Sequence, residues 1–318
     1  MAAALSKGSL LALAAFTAFG CAAAVESTKV EDRARRTVPI PICLKPLPRH
    51  ASAGVVATLT PEDYWSLILP AYDAQEGTVD PNGSDCAGGA IFAAPELSEA
   101  EGPRTTINVT PTELTVAKGP DGFQVVWLRS HRFANGTSAG PLALMRPREA
   151  YAEAYAIGLY RGSPDTSKLG YQRLGADILI TAANERCAGA AAGQDCDSDV
   201  QLYLARDGAL KPAGTVDVER VHYGSMPSVA GTVQYRLSAT PKYKERSIVV
   251  TEQLVLRDSE QNEIRRASQD RTWTLSGDGK LVADADSLWA RMVTPKATPA
   301  QAPAAASSAG APPQKPHK

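Results

Sequence analysis

The stretch Ser247–Arg257, which reads SIVVTEQLVLR, alternates apolar and polar side chains along most of its length. This period of two residues is typical of a half-buried β-strand. Val233–Ala239 before it and Arg265–Leu275 after it have the same character, and Lys280–Ala283 is a further short segment. Polar, turn-forming residues separate the segments, so the sequence predicts an antiparallel meander. Glu252 is the odd polar residue on the apolar face of its strand. We expect this carboxylate to lie at an edge or to be half-exposed, because a buried one needs a partner or a raised pKa.

Segments upstream of the meander are also predicted as strands. They are Gly54–Leu59, Thr112–Ala117, Phe123–His131, Ala154–Tyr160, Ala176–Thr181, Val200–Ala205 and Thr215–His222. One helix is predicted where Thr60 offers an N-cap and Pro61 occupies the first helical position, before Pro70 ends the segment. The predicted fold is mainly β, an antiparallel sandwich or a barrel-like meander with one short helix.

The composition excludes one large class of function. The chain has 318 residues with 33 basic and 34 acidic side chains, which gives a formal net charge of −1. Without a basic surplus, the chain lacks the electrostatic attraction on which dedicated nucleic-acid binders depend. We therefore expect no nucleic-acid partner. The 25 glycines and 23 prolines favour many turns between short elements.

Residues 1–20 have the organisation of an export signal peptide. Lys7 gives the first residues a positive charge, and an uncharged apolar run covers Ser9–Phe19. This run is shorter than the about 20 residues that a membrane-spanning helix needs, so we expect it to be cleaved. The sequence Ala18-Phe19-Gly20-Cys21 then resembles the lipobox of bacterial lipoproteins, although Ala18 stands where that family most often has leucine.

The resemblance implies a lipid anchor. Lipoproteins of this family are cleaved before the cysteine, here Cys21, which then carries acyl chains such as palmitate and attaches the protein to a membrane. Ala22 is not the aspartate that usually signals inner-membrane retention, so the implied location is the outer membrane or the periplasm. Cleavage after Ala24 is the alternative, which would leave Val25 as the first residue and remove Cys21.

The other four cysteines fit an exported chain. Cys43, Cys86, Cys187 and Cys196 are even in number, and an oxidising compartment favours disulfides. Proximity in sequence favours the pairs Cys43–Cys86 and Cys187–Cys196, for which chain entropy predicts about 4 and about 3 kcal/mol of stabilisation. The sequence has no C-x-x-C motif, so disulfides are favoured over a thiolate metal site.

The chain divides into four predicted parts. Residues 1–20 are the signal peptide, and residues 21–50 form a charged and then proline-rich tether that carries the anchor. Residues 51–293 form the mostly β domain. Residues 294–318 are rich in alanine and proline and have no acidic residue, so they are predicted to be a disordered tail.

A serine motif suggests one possible chemistry. Gly136-Thr137-Ser138-Ala139-Gly140 matches the G-x-S-x-G pattern of a hydrolase nucleophile elbow. That elbow needs a buried strand before the serine and a helix after it, and the sequence around Ser138 indicates neither. We interpret the motif as a flexible glycine-rich loop, with a secreted serine hydrolase that uses Ser138 as an alternative function.

An acidic motif suggests a second possible chemistry, calcium binding. Asp195, Asp197 and Asp199 stand at alternate positions, a spacing at which a tight loop can surround Ca²⁺ with oxygen ligands. Val200 and Arg206 stand where an EF-hand needs glycine and glutamate, so we favour a solvated acidic loop. A calcium-binding β domain is the second alternative function, and no other cofactor is predicted.

These observations together favour a binding protein over an enzyme. The sequence shows an export signal, a lipobox and a β meander, but no credible catalytic constellation. We interpret the chain as an exported, lipid-anchored envelope protein that acts as a non-enzymatic binding or scaffold module. Its expected partners are the membrane, through the anchor, and an envelope protein or cell-wall component.

Overall fold

A computed structural model describes residues 39–47, 56–80, 83–90, 113–187 and 196–293. The predicted signal peptide, Cys21, Asp195 and the predicted tail 294–318 lie outside these ranges. Within them, neither helix is long and apolar enough to cross a membrane.

The protein is mainly β, as the sequence predicts. In the described part of the chain the main sheet has 14 strands, and β2 and β3 form a separate hairpin. The elements are β1 (Cys43–Pro46), α1 (Pro61–Ile68), β2 (Tyr72–Asp73), β3 (Thr78–Val79), β4 (Leu114–Lys118), a 3-10 turn (Pro120–Gly122), β5 (Gln124–Leu128), β6 (His131–Arg132), β7 (Ser138–Pro147), β8 (Tyr151–Gly162), β9 (Lys168–Leu174), β10 (Asp177–Cys187), β11 (Cys196–Arg206), β12 (Ala209–Met226), β13 (Val229–Tyr243), β14 (Ser247–Arg257), β15 (Glu263–Leu275), β16 (Leu281–Ala283) and α2 (Leu288–Met292).

The C-terminal meander is confirmed. Strands β12 to β16 are neighbours in chain order, and each pairs antiparallel with the next. The register places Leu237, Leu254 and Ala267 side by side across β13, β14 and β15. The turn between β14 and β15 is fixed by Asp258, whose Oδ1 accepts hydrogen bonds from the backbone N–H groups of Glu260 and Asn262, both at 2.9 Å. This is the Asx-type turn chemistry expected of the polar residues there.

Strands β9 to β12 lie between two hydrophobic cores, which makes the arrangement sandwich-like. Side chains alternate along β10, so Ile178 and Ile180 contact the core that contains Trp127 of β5. Leu179, between them, packs into the opposite core with Ile248 of β14. Because both faces of β10 are covered, the consecutive apolar residues Ile178, Leu179 and Ile180 are all buried.

The N-terminal elements cover a third core on the other face of β5, β7 and β8. Trp65 and Ile68 of α1 are fully buried there against residues that include Met145 of β7. The helix begins as predicted, with Thr60 as N-cap, Pro61 in the first turn and a capping box between Thr60 and Asp63. The disulfide Cys43–Cys86, with Cα atoms 6.0 Å apart, belongs to this layer and confirms one predicted pair.

Among the described residues, the strands make a single parallel contact, between Ile157 of β8 and Ala209 of β12. A Cβ atom on the adjacent Gly158 would lie 2.5 Å from the carbonyl oxygen of Leu210, so only glycine allows the two strands to approach this closely. The long strand β12 then pairs first with β11 and, beyond Glu219, with β13. This change of partner connects the predicted meander to the rest of the sheet.

Several local expectations differ from the structure. Residues 43–46, within the predicted tether, form β1 and pair with β8. Residues 56–59 of the predicted strand Gly54–Leu59 are not in a strand, because they lead into the N-cap of α1. The predicted loop around Ser138 is instead the start of β7, and α2 was not predicted.

Candidate functional site

A polar pocket of about 420 Å³ lies where the β4–β5 and β6–β7 pairs meet the connection between β8 and β9. It combines charged, hydroxyl and apolar groups from separate parts of the chain. Its lining residues are Glu113, Arg129, Arg132, Phe133, Gly136, Thr137, Ser138, Pro164 and Asp165. We call this the arginine pocket.

Strand pairing brings the charged groups of the pocket together. Arg129 follows β5, and its backbone N–H donates to the carbonyl of Glu113 at 2.8 Å, which extends the β4–β5 ladder by one step. Arg132 is in β6, a short strand that pairs with the start of β7. Glu113 accepts a hydrogen bond from Arg132 Nη2, and its other carboxylate oxygen lies 3.8 Å from Arg129 Nε. One buried carboxylate therefore forms ion pairs with two guanidinium groups.

Arg129 is the unusual member of this group because it is a buried cation. Its Nη1 donates to Thr115 Oγ1 at 2.6 Å, and its guanidinium lies 5.5 Å from the centre of the Trp127 ring. Burial lowers the pKa of Arg129, which Glu113 opposes and the nearby Arg132 reinforces. The group still remains charged at neutral pH, since an arginine does not lose its proton in proteins.

The remaining walls of the pocket provide hydroxyl and apolar groups. Thr137 Oγ1 donates to Asn135 Oδ1 at 2.7 Å and accepts from Arg161 Nε at 3.2 Å. The guanidinium of Arg161 also lies 3.5 Å from the centre of the Phe133 ring. These contacts hold the β6–β7 turn against β8, so the pocket is built on ordered side chains.

Ser138 lies in this pocket, but not in the geometry of a nucleophile elbow. It is the first residue of β7, pairs with Arg132 and Gly162 on either side, and is only 2% exposed. An elbow needs a tight turn from a strand into a helix, whereas here the chain continues as a strand to Pro147. The expectation of a flexible loop was wrong because Gly140 has a packing role: a Cβ there would lie 1.9 Å from the carbonyl oxygen of Leu128.

The serine–histidine contact in this region involves Ser130 instead. Ser130 Oγ lies 2.9 Å from His131 Nδ1, and Ser130 is completely buried. A nucleophile must reach its substrate, and this hydroxyl has no exposed surface. The pair is therefore a structural contact beside the pocket.

Asp197 and Asp199 lie in β11 rather than in a loop. Asp197 Oδ1 accepts from the backbone N–H of Val221 at 3.1 Å, and Asp199 forms a 2.7 Å ion pair with Arg186. The strand register places Asp199 opposite Asp217, and burial raises the pKa of both carboxyl groups.

Asp195, the third predicted calcium ligand, lies outside the described residues. Among the residues that are described, no three histidine, cysteine, aspartate or glutamate side chains are grouped closely enough to hold a metal ion. Calcium binding through Asp195, Asp197 and Asp199 therefore stays a hypothesis.

Glu252 is buried, which corrects the expectation of a half-exposed position. Its Oε1 accepts from Arg271 Nε at 2.7 Å, and its Oε2 accepts from Gln269 Nε2 at 2.7 Å and from the backbone N–H of Leu288 at 2.8 Å. The last bond comes from the first residue of α2. The carboxylate is tolerated in the apolar face because it is fully hydrogen-bonded, and it attaches the C-terminal helix to the sheet.

The second predicted cysteine pair is supported only in part. Cys196 is disulfide-bonded, and the β10–β11 register places Cys187 directly opposite it. The side chain of Cys187 lies outside the described residues, so the pairing of these two cysteines stays a prediction.

Comparisons of the chain with protein-family models, with curated proteins and with solved structures give no match. What the arginine pocket binds is therefore inferred from its own chemistry.

Proposed function

We propose that this chain is an exported, lipid-anchored protein of a bacterial envelope that acts as a non-enzymatic binding module, with the arginine pocket as its ligand site. The observation that carries the binding role is the pocket itself, in which a buried guanidinium and a second, exposed one share a single buried carboxylate. Such an arrangement favours ligands with a negatively charged group.

Export and anchoring are supported by two independent features. The first 20 residues have the pattern of a signal peptide that ends at a lipobox cysteine. The disulfide Cys43–Cys86 is the kind of bond that persists in an oxidising compartment and is rare in the cytosol. More than one acyl chain on Cys21 would hold the protein on a membrane stably, at about 0.8 kcal/mol per buried methylene.

The role of binding module rests on the scaffold around the pocket. Arg132 is in β6, which pairs with β7, and Glu113 and Arg129 extend the β4–β5 pair and are themselves buried. Groups fixed in this way lose little conformational entropy when a ligand binds. Ser138 lines this site as the first residue of β7, without the strand-to-helix turn of a nucleophile elbow.

The anchor is tested on the full-length chain expressed in a Gram-negative host. We expect the intact mass of the membrane-bound protein to correspond to a chain that starts at Cys21 and carries acyl groups. Alkylation without reductant should leave that mass unchanged if the remaining cysteines are paired. Cys21→Ser is the matched variant, which should lack acyl groups and leave the membrane fraction. A mature wild-type chain that starts at Val25 would overturn the lipoprotein part of the proposal.

A further inference from the structure

We propose that the arginine pocket recognises a carboxylate group on a small ligand with a short apolar body, such as the C-terminal residue of a peptide. This inference rests on the proposed function as a binding module and names the class of ligand.

The charges of the pocket favour a singly charged anion over a doubly charged one. Arg129 and Arg132 bring two positive charges to the single buried carboxylate of Glu113, which leaves one in excess. Asp165 lines the same pocket from an exposed position, interacts electrostatically with Arg129 and offsets that excess, so the charged side chains of the lining sum to zero. A second negative charge at the rim disfavours a dianion such as a phosphate monoester, which carries about −1.5 to −2 at neutral pH.

The geometry favours a planar group. A guanidinium carries five N–H donors in one plane and matches a carboxylate with two parallel hydrogen bonds. The hydrogen bond of Arg129 to Thr115 uses Nη1, and that of Arg132 to Glu113 uses Nη2. Both side chains therefore have further donors on the same fork to offer to a second carboxylate.

The apolar and hydroxyl-bearing walls of the pocket match the apolar body and the amide of such a ligand. Phe133 and Pro164 provide apolar surface, while Thr137 provides a hydroxyl group that can bond an amide. The volume of about 420 Å³ falls in the range of small-molecule sites, which is roughly 300 to 1,000 Å³. A single amino-acid residue with an N-acyl group combines the carboxylate, the amide and the apolar side chain that these walls match.

The test measures binding to purified full-length protein by NMR titration. The probes are N-acetyl-alanine, its C-terminal amide N-acetyl-alaninamide, and inorganic phosphate. We expect N-acetyl-alanine to bind at least tenfold more tightly than the amide and more tightly than phosphate. Equal binding of acid and amide, stronger binding of phosphate, or no binding of any probe would each overturn the inference.

Arg132→Gln locates the site, because the Arg132 side chain is 57% exposed and its loss leaves the β6 backbone intact. Arg236→Gln is the matched control, since Arg236 is 50% exposed and pairs with Glu219 on a different part of the sheet. We expect Arg132→Gln to weaken binding at least tenfold and Arg236→Gln to leave it unchanged, with similar melting temperatures. Equal affinities for the two variants would contradict the site.

The two proposals fail in distinguishable ways. Binding is measured on purified protein, so it does not depend on whether Cys21 carries a lipid. Acylated protein that shows no preference for the acid refutes the carboxylate inference alone. Protein that lacks acyl groups but binds the acid refutes the lipid anchor alone.

Discussion

Glu252 shows how a single residue can attach one element to another. Glu252 is 1% exposed, and its two carboxylate oxygens accept hydrogen bonds from Arg271, Gln269 and the backbone N–H of Leu288. A buried ion pair adds little net stability compared with an apolar pair, but removal of one partner is costly because the other charge stays behind. Here the charge that stays behind is Arg271, which is also buried.

We therefore expect Glu252→Gln to lower the free energy of unfolding by about 3–5 kcal/mol, as measured by urea denaturation. The matched control is Glu263→Gln, which removes an exposed ion pair with Arg266 on the neighbouring strand β15. That pair is screened by solvent, so the control should change stability far less. Equal losses for the two variants would show that the burial of Glu252 does not matter.

Asp199 gives a prediction for the pH dependence of stability. Burial raises its pKa, Asp217 adds to the effect, and Arg186 and Arg220 oppose it. An acid whose pKa is higher in the folded state favours folding most when it is protonated, below about pH 4. This contribution is lost as the pH rises through the raised pKa of the folded state.

Asp199→Asn should therefore stabilise the protein relative to the wild type at pH 7, and the difference should shrink toward pH 4. Arg186 then loses its partner at little cost, because its side chain is 53% exposed. Asp258→Ala is the control of opposite sign, since backbone N–H groups lower the pKa of Asp258. The stability of each variant relative to the wild type is measured by melting temperatures between pH 4 and 7. A constant offset between wild type and Asp199→Asn would contradict the raised pKa.

At the scale of elements, alternation predicted the strands that have one covered face. β14 has the alternating burial that its sequence suggests, and β13 and β15 pair with it as expected. β7 was missed because nearly all its residues are buried, so its apolar run shows no period of two, and because Gly140 and Pro141 indicate a turn. α2 was missed since its five residues are too few for a helical period.

The disulfide Cys43–Cys86 connects β1 to the segment that follows the β2–β3 hairpin, across a sequence separation of 43 residues. The closed loop contains α1, whose packing on β5, β7 and β8 completes the third core. Cross-linking a loop of this length restricts the unfolded chain by about 4 kcal/mol in the chain-entropy estimate. The bond therefore stabilises the N-terminal layer more than any single hydrogen bond there.

We expect the double variant Cys43→Ser/Cys86→Ser to lose about 4 kcal/mol of stability in urea denaturation. Hydrogen exchange should also become faster in α1 and β1 than in β14, because the broken link lies in the N-terminal layer. The internal control is hydrogen exchange in β14, which should become faster only by the amount that the loss of global stability explains. A uniform increase in exchange across α1 and β14 would show that the disulfide stabilises the whole fold without local preference.

At the scale of the molecule, the sequence predicted the fold class but not the arginine pocket. Ser138 was singled out by its motif, whereas Glu113, Arg129 and Asp165 stand in different segments with no shared pattern. They meet only because β4, β5 and the β8–β9 connection are brought together by pairing and packing. A site assembled from side chains this far apart in sequence gives no local signal.

The C-terminal end of the folded domain is held to the sheet by α2. Leu288 is buried with Leu254 and Leu256, and its backbone N–H bonds Glu252. A chain that ends after Val293 keeps both contacts and should melt like the wild type, since the predicted tail 294–318 has too little apolar surface to contribute.

A chain that ends after Asp286 lacks Leu288 and both contacts. It should lose about 3 kcal/mol or more, from the lost burial of a leucine side chain and from the missing hydrogen bond to a charged group. Calorimetry on the two truncated chains measures the difference. If truncation after Val293 destabilises as much as truncation after Asp286, the stabilising contacts lie in the tail and α2 is not the end of the domain.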